Sequence, residues 1–314
     1  MTQNGFVFLN GRIVESRKAT VSVYDRGLLY GDGLFETMRA YGGVAFCIEE
    51  HFHRLRTSAD ILGLPIPHLD WPAIIRELLA KNGLAKRDAW VRLTITRGPA
   101  EPRVLPPDLA KPTTMVMVRA LDPQIETHQK RGVKVALLPF SRHGFIPEHK
   151  SLNYLPAVVG KVLASYHGAY EGIFVRADHV LTEGTTTSVF VVRDGVLMTA
   201  PQGGILPGVT RAIVLDLAAR LGLRIAEQDI TTTHLRLADE AFLTSSMIEI
   251  VPITQVDEGT LGSGKPGNVT RKLQKAYREA VTRYARTAAR SSLKAPALKK
   301  GGQGGFSKRP ARGR

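Results

Sequence analysis

Cysteine is almost absent from this chain. Cys47 is the only one in 314 residues, so no internal disulfide can form. That excludes a disulfide-built secreted scaffold and makes a reducing cytoplasm the expected setting. Long uncharged apolar runs are missing too, and none approaches the ~20 residues that span a bilayer. The stretch from Met1 to Gly11 has no basic start followed by an apolar core, so no secretory leader is expected. Acidic residues are missing from the C-terminal end. Residues 283–314 carry ten Lys or Arg and no Asp or Glu, and removing those ten from the net +15 leaves +5 for the rest. The basic excess therefore belongs to the tail, and no nucleic-acid module motif accompanies it. Residues 288–314 are rich in Ala, Lys, Pro and Gly and nearly free of aromatics, which predicts a disordered basic tail. An anionic surface such as RNA, DNA or lipid head groups is the partner such a tail would meet.

What remains is ordinary for a globular protein: 43% hydrophobic and 23% charged residues, with enough length for two domains. Phe6 to Val14 alternates around an Asn10-Gly11 hairpin turn. Val21 to Tyr24 reads as a short strand. Phe52, Leu55, Ala59 and Leu62 form a helical stripe within 49–62, closed by Gly63. A second helix is expected over 71–82, followed by strands at 90–96 and 114–119. Residues 121–131 are polar, contain Pro123 and read as an interdomain linker. Beyond them, strands at 133–138, 172–175, 188–192 and 196–199 alternate with helices at 154–166 and 210–221. A last helix runs from Asn268, a plausible N-cap, to about Arg286. Mixed elements in two unequal halves give an α+β protein: a smaller domain at 1–120, the linker, and a larger domain at 132–287.

Three segments of the second half carry chemistry together. They are Lys150-Ser-Leu-Asn-Tyr-Leu155, Leu181-Thr-Glu-Gly184 and Ile205-Leu-Pro-Gly-Val-Thr-Arg211. A lysine, then a carboxylate, then a turn opening a helix is what pyridoxal 5′-phosphate requires. The lysine holds its aldehyde, the carboxylate pairs with its ring nitrogen, and backbone N–H groups hold its phosphate. In this order and wording the segments resemble the class IV, fold type IV pyridoxal-phosphate aminotransferases. That family includes branched-chain and D-amino-acid aminotransferases and aminodeoxychorismate lyase. The likeness runs from about Asn10 to about Ala280.

The resemblance implies roles residue by residue. Lys150 forms the Schiff base and is the catalytic residue. Glu183 holds the ring nitrogen, Leu206 packs on the ring, and Val209 and Thr210 hold the phosphate. Arg54, in His51-Phe-His-Arg-Leu-Arg56, is the phosphate-binding arginine, because a guanidinium fork matches a phosphate dianion. Ser246, with Ser245 beside it, supplies a phosphate hydroxyl, and Tyr154 bonds the ring's 3-oxygen. His51 and His53 suggest a metal pair but have no further ligands in view, so zinc is rejected. Ser188 stands where relatives often carry Asn.

On the substrate side, the segment from Tyr24 to Arg39 is a second family match, and its glycines suggest a tight loop near the cofactor. Tyr30 and Phe35 are expected pocket walls, with Trp90 and Met247 nearby. Arg92 and Arg103 compete for the substrate carboxylate, and Leu105 stands where D-amino-acid enzymes carry histidine. The expected activity is transfer of an amino group between a branched-chain L-amino acid or D-amino acid and a 2-oxo acid such as 2-oxoglutarate. The alternatives are a lyase using the same cofactor and a basic-tailed, nucleic-acid-associated protein without catalysis. The family also implies a homodimer, with some site residues supplied by the partner chain.

Overall fold

The structure is a computed structural model that describes residues 5–142 and 144–294. The first half begins with the hairpin β1 (Phe6–Leu9) and β2 (Arg12–Glu15). Asn10 and Gly11 take the positive φ values of 48° and 87° that such a turn needs. Then follow α1 (Arg26–Tyr30), β3 (Gly33–Tyr41), β4 (Val44–Ala45), α2 (Ile48–Leu62), α3 (Trp71–Lys81), β5 (Ala89–Thr96) and β6 (Thr113–Ala120). The six strands form one antiparallel sheet in the order β2-β1-β6-β5-β3-β4. The apolar faces of α2 and α3, with Phe52, Leu55, Ile75 and Leu78, pack on Met38, Val91 and Leu93 of the sheet. Burying one such side chain contributes about 1.5–3 kcal/mol.

One expectation for this half fails. No strand forms at Val21–Tyr24: Val23 and Tyr24 are 69% and 56% exposed, and no neighbouring strand pairs with them. β propensity without a partner has no ladder to join. The glycine-rich stretch makes its tight turn at Gly31, in the left-handed region, between α1 and the nine-residue strand β3, which pairs with β5 from Gly33 to Ala40. Gly33 is required there because a Cβ would lie 2.7 Å from the Ile95 carbonyl and 2.8 Å from Leu152.

The predicted linker is also structured. It contains α4 (Gln124–Arg131), and Gln129 is buried, donating to the Ile248 carbonyl at 2.9 Å and Glu249 Oε2 at 3.1 Å. Gln129 docks the helix, while Glu126, Thr127 and Lys130 stay exposed.

The second half contains β7 (Val133–Leu138), α5 (Leu155–Tyr166), β8 (Glu171–Val175), β9 (Val180–Gly184), β10 (Ser188–Arg193), β11 (Val196–Thr199), α6 (Val209–Arg220), β12 (Arg224–Glu227), β13 (Ile230–Thr231), α7 (Thr232–Arg236), β14 (Glu240–Ser245), β15 (Glu249–Val256), β16 (Gly259–Thr260) and α8 (Asn268–Lys294). Their strands form a mixed sheet in the order β12-β11-β10-β14-β15-β7-β8-β9-β13, with β16 paired to β15. Helices α6 and α8 bury Val214, Leu217, Leu273 and Tyr277 against Phe190 and Phe242 of the sheet. The same cluster admits Phe46 and Cys47 of the first half, and the Phe46 ring meets Tyr284 at 5.0 Å and Tyr277 at 5.8 Å. The halves therefore share a core, which holds the cleft between them.

Asn268 begins α8, but its N-terminus is capped from elsewhere. Glu240 accepts from the N–H of Val269 at 2.9 Å and of Thr270 at 2.8 Å. An acceptor at a helix start satisfies donors that have no partner inside the helix. The helix continues through 288–294, residues whose composition predicts tail, and the remainder of the predicted tail lies outside the described residues. Among the described residues no helix is long and apolar enough to cross a membrane.

Candidate active site

A cavity of about 350 Å³ opens between the halves, a size that suits a small cofactor with a substrate. Lys150 lies at its centre, just before α5. Its carbonyl accepts from the Phe35 N–H at 2.9 Å, and the Leu152 N–H donates to the Gly33 carbonyl at 3.0 Å, so β3 holds the lysine in place. The Lys150 ammonium sits 4.7 Å from the Phe35 ring centre and 5.9 Å from that of Tyr154. Among the described residues no hydrogen bond or ion pair reaches its Nζ. Burial, reinforced by the nearby Arg54 charge, pushes its pKa down to about 8. A sizeable neutral fraction near neutrality makes this amine a competent nucleophile and base.

Glu183, on β9, forms one wall and is 5% exposed. It is ion-paired to Arg142, and its other oxygen accepts from the Leu206 N–H at 3.3 Å. Burial raises its pKa even so, with Arg142 opposing the shift. The following Thr185–Thr187 turn is held by buried Glu171, which accepts from the hydroxyls of Thr185 and Thr186 and pairs with Lys161 at 3.3 Å.

At the other end lies an anion cradle. The N-terminus of α6 has Gly208 as its N-cap, and no side chain caps it. The N–H groups of Val209 and Thr210 therefore have no partner within the helix. A Cβ on Gly208 would come within 3.0 Å of Ser188 Oγ, so glycine lets the chain pass close here. Arg54, on α2, donates from Nε to Glu36 Oε1 at 2.8 Å and from Nη2 to Glu36 Oε2 at 2.6 Å. Its Nη1 donates to the Pro207 carbonyl at 2.8 Å. A guanidinium has five N–H groups, so one remains on each terminal nitrogen. Burial works against ionisation of Glu36, but Arg54 and His51 hold its pKa down at about 2. His51 Nδ1 lies 2.7 Å from Glu36 Oε2, and its Nε2 lies 3.3 Å from Ser246 Oγ. His53 and Arg56 are exposed.

The structure gathers most of the predicted site. Lys150, Arg54, Tyr154, Glu183, Leu206, Val209, Thr210, Ser245 and Ser246 all line the cavity, as do Phe35, Trp90, Arg92 and Met247. The Arg92 guanidinium stacks on Phe35 at 3.8 Å, and its Nε donates to Thr94 at 3.3 Å. Burial pulls its pKa down.

Tyr30 and Arg103 do not line the cavity of their own chain. Tyr30 packs under Arg26 at 4.9 Å, and Arg103 is exposed. Arg26 pairs with Asp32 at 2.7 Å and takes the carbonyls of Arg103 and Val104 at 2.6 and 2.8 Å. That clamp pins the loop outside the cleft. Of the two competing arginines, Arg92 is the one inside.

Sequence reading missed Arg119, which lies 4.6 Å from the Trp90 ring centre at the cavity wall, and Arg142. Neither has a local signature. Helical spacing could have flagged His51, three residues before Arg54 and on the same face of α2.

A buried lysine, a buried carboxylate and a helix-start anion cradle in one cleft suit a pyridoxal-phosphate enzyme, and the donor set fits that cofactor at both ends. The chain belongs to the amino-transferase class IV family, whose model matches residues 33–256. It is 36% identical over 281 residues to a branched-chain-amino-acid aminotransferase assigned in Methanocaldococcus jannaschii, covering 88% of this chain and 97% of that one. It is 35% identical to the D-alanine aminotransferase of Listeria monocytogenes, covering 88% and 96%. The branched-chain amino acid aminotransferase of Thermobaculum terrenum, solved in its PLP form, superposes with a TM-score of 0.78 at 26% identity, covering 89% and 95%. The fold is the two-sheet α+β arrangement of fold type IV, the enzyme is an aminotransferase, and its cofactor is pyridoxal 5′-phosphate. The lyase and non-catalytic alternatives are not favoured.

Proposed function

We propose that this aminotransferase takes an amino group from a branched-chain L-amino acid and delivers it to 2-oxoglutarate. The observation that carries this reading is the cavity wall of Phe35, Trp90, Tyr154 and Met247, with the Arg92 guanidinium laid on Phe35. Aromatic and thioether groups suit an aliphatic side chain. Arg92 suits the second carboxylate of a dicarboxylic partner, which would occupy the same space in the other half of the cycle. A D-amino acid is the second reading, favoured by the 35% identity to a D-alanine aminotransferase.

When bound, pyridoxal phosphate supplies an electron-withdrawing ring that stabilises negative charge at the substrate α-carbon. The chain's residues have separate tasks. Lys150 holds the cofactor aldehyde and, once freed, its amine moves the α-proton. Glu183 keeps a proton on the ring nitrogen, with Arg142 steadying the carboxylate. Leu206 supports the ring face, and Tyr154 bonds the ring oxygen. Arg54, Thr210, Ser245, Ser246 and the N–H groups opening α6 hold the phosphate.

A homodimer in the cytoplasm completes the proposal. The outer face of α5 leaves Leu155, Val158, Val162 and Tyr166 exposed, the first and last at 71% and 82%. Val104, Leu105 and Leu109 are exposed on the loop that carries Arg103. So much apolar surface on one chain suits cover by a second copy, which would bring Tyr30 and Arg103 near the partner's cleft. The free thiol of buried Cys47 suits a reducing compartment.

The test is a half-reaction titration of the loaded enzyme with L-leucine, L-glutamate, D-alanine and D-glutamate in turn. Conversion to the pyridoxamine form by L-leucine and L-glutamate is the expected result. Conversion by the D-isomers alone would replace the reading with the second one, and no conversion by any would overturn both.

A further inference from the structure

His51 has no part in the chemistry above, yet it is 1% exposed and tied at both ring nitrogens. Glu36 is ionised and can only accept, so the hydrogen between Glu36 Oε2 and His51 Nδ1 belongs to the imidazole. Burial keeps the ring neutral by pulling its pKa down, with Glu36 opposing that shift. The bare Nε2 is then an acceptor, and the Ser246 hydroxyl 3.3 Å away donates to it. Ser246 also lines the cavity. A phosphate dianion there has no hydrogen to give, so it needs the same Ser246 hydrogen that His51 holds.

Two resolutions exist. Ser246 can turn its hydrogen to the phosphate and strand Nε2, which is costly for a buried acceptor. Alternatively, His51 gains a proton, donates it to Ser246 Oγ, and frees the Ser246 hydrogen for the phosphate. Before the anion arrives Glu36 favours that added proton while Arg54 and Lys150 oppose it, and the charge of the dianion tips the balance toward the second. Glu36 approaches from β3, Arg54 from its own helix and Lys150 from the segment before α5. Glu36 and Arg54 pair with each other, so an incoming dianion faces a deficit of positive charge.

Resting on the cofactor reading above, we propose that His51 is a positioning residue for the cofactor phosphate: it takes a proton from solvent as the dianion docks and so makes Ser246 a donor to it. An N–H bond forms on His51 as a buffer acid gives up its bond to that proton, and the count is one proton per phosphate bound.

The experiment uses pyridoxamine 5′-phosphate, which has no aldehyde to react with Lys150. Its binding to the cofactor-free full-length enzyme is followed by calorimetry at pH 7–9, above the phosphate second pKa of about 6. Buffers of different ionisation enthalpy report protons taken up. The wild type is expected to absorb up to one proton and to lose affinity with rising pH, by up to about tenfold per unit. His51→Asn should lose most of the uptake and leave only the shallower pH dependence that Lys150 contributes, and Ser246→Ala should lose most of the uptake while keeping His51. Should His51→Asn fail to fold, Ser246→Ala carries the test alone. Uptake unchanged in both variants would assign the proton to Lys150 and overturn the proposal. Binding by the wild type without uptake would overturn it as well, as would equal uptake with pyridoxamine lacking phosphate. Failure to bind pyridoxamine 5′-phosphate at all would instead strike the cofactor reading.

Discussion

Replacing Glu36 with Gln removes one charge from the centre of the phosphate cradle and little else. The carboxylate is 1% exposed and accepts two bonds from Arg54 and one from His51. Its pKa falls from 4.5 to about 2. A folded-state pKa below the unfolded one adds stability above the unfolded value, and that stability is lost as pH falls toward the folded value. A shift of about 2.5 units at ~1.36 kcal/mol each amounts to about 3.4 kcal/mol at pH 7. At pH 3, where the unfolded chain is almost fully protonated and the folded one is not, the same linkage leaves about 1.4 kcal/mol. Urea unfolding of wild type and Glu36→Gln at both values is the assay, and the gap between them should narrow by about 2 kcal/mol on acidification. His51 is hydrogen-bonded to Glu36, so the comparison is repeated in a His51→Asn background. A gap equally wide at pH 3 and pH 7 would show that Glu36 acts by packing rather than by charge, and the account of the cradle would fail.

Other perturbations probe the rest of the site and the assembly. Lys150→Ala should lower transamination by at least about a hundredfold, read by coupled assay, and abolish the visible band of lysine-bound cofactor. In the wild type, the rate of cofactor capture should rise with pH through about 8, as the Lys150 amine loses its proton; a flat rate from pH 6 to 9 would contradict the depressed pKa. Arg54→Lys keeps the charge but loses the fork, so cofactor affinity in equilibrium dialysis should fall by about ten- to a hundredfold. A Val158→Asp, Val162→Asp double variant should halve the mass seen by light scattering if α5 is the dimer face, and an unchanged mass would exclude that face.

Local sequence carried a good deal of the fold. The Asn10-Gly11 hairpin, the stripe of α2 and the strands with alternating or continuous apolar runs follow from neighbours two to four positions apart, so a linear reading reaches them. It failed where partners are distant. Val21–Tyr24 has strand-forming residues but no strand beside it, and nothing local marks Gly33–Tyr41 as the strand that β5 pairs along. Residues 121–131 do join the two sheets, but the docked helix within them is hidden because the acceptors for Gln129 lie 119 and 120 positions away.

The site divides in the same way. Lys150, Glu183 and the Leu-Pro-Gly-Val-Thr opening of α6 sit in continuous wording, and each residue's chemistry is intrinsic, so sequence alone determined the cofactor and the reaction class. Which arginine enters the cavity was decided by the Arg26 clamp on the Arg103 loop, across 77 positions. That Glu36, His51 and Ser246 form one line was decided by the docking of two halves, with His51 and Ser246 separated by 195 positions. Hydrogen bonds act over about 3 Å, and only the shared core built around Phe46 brings groups so far apart in the chain to that distance.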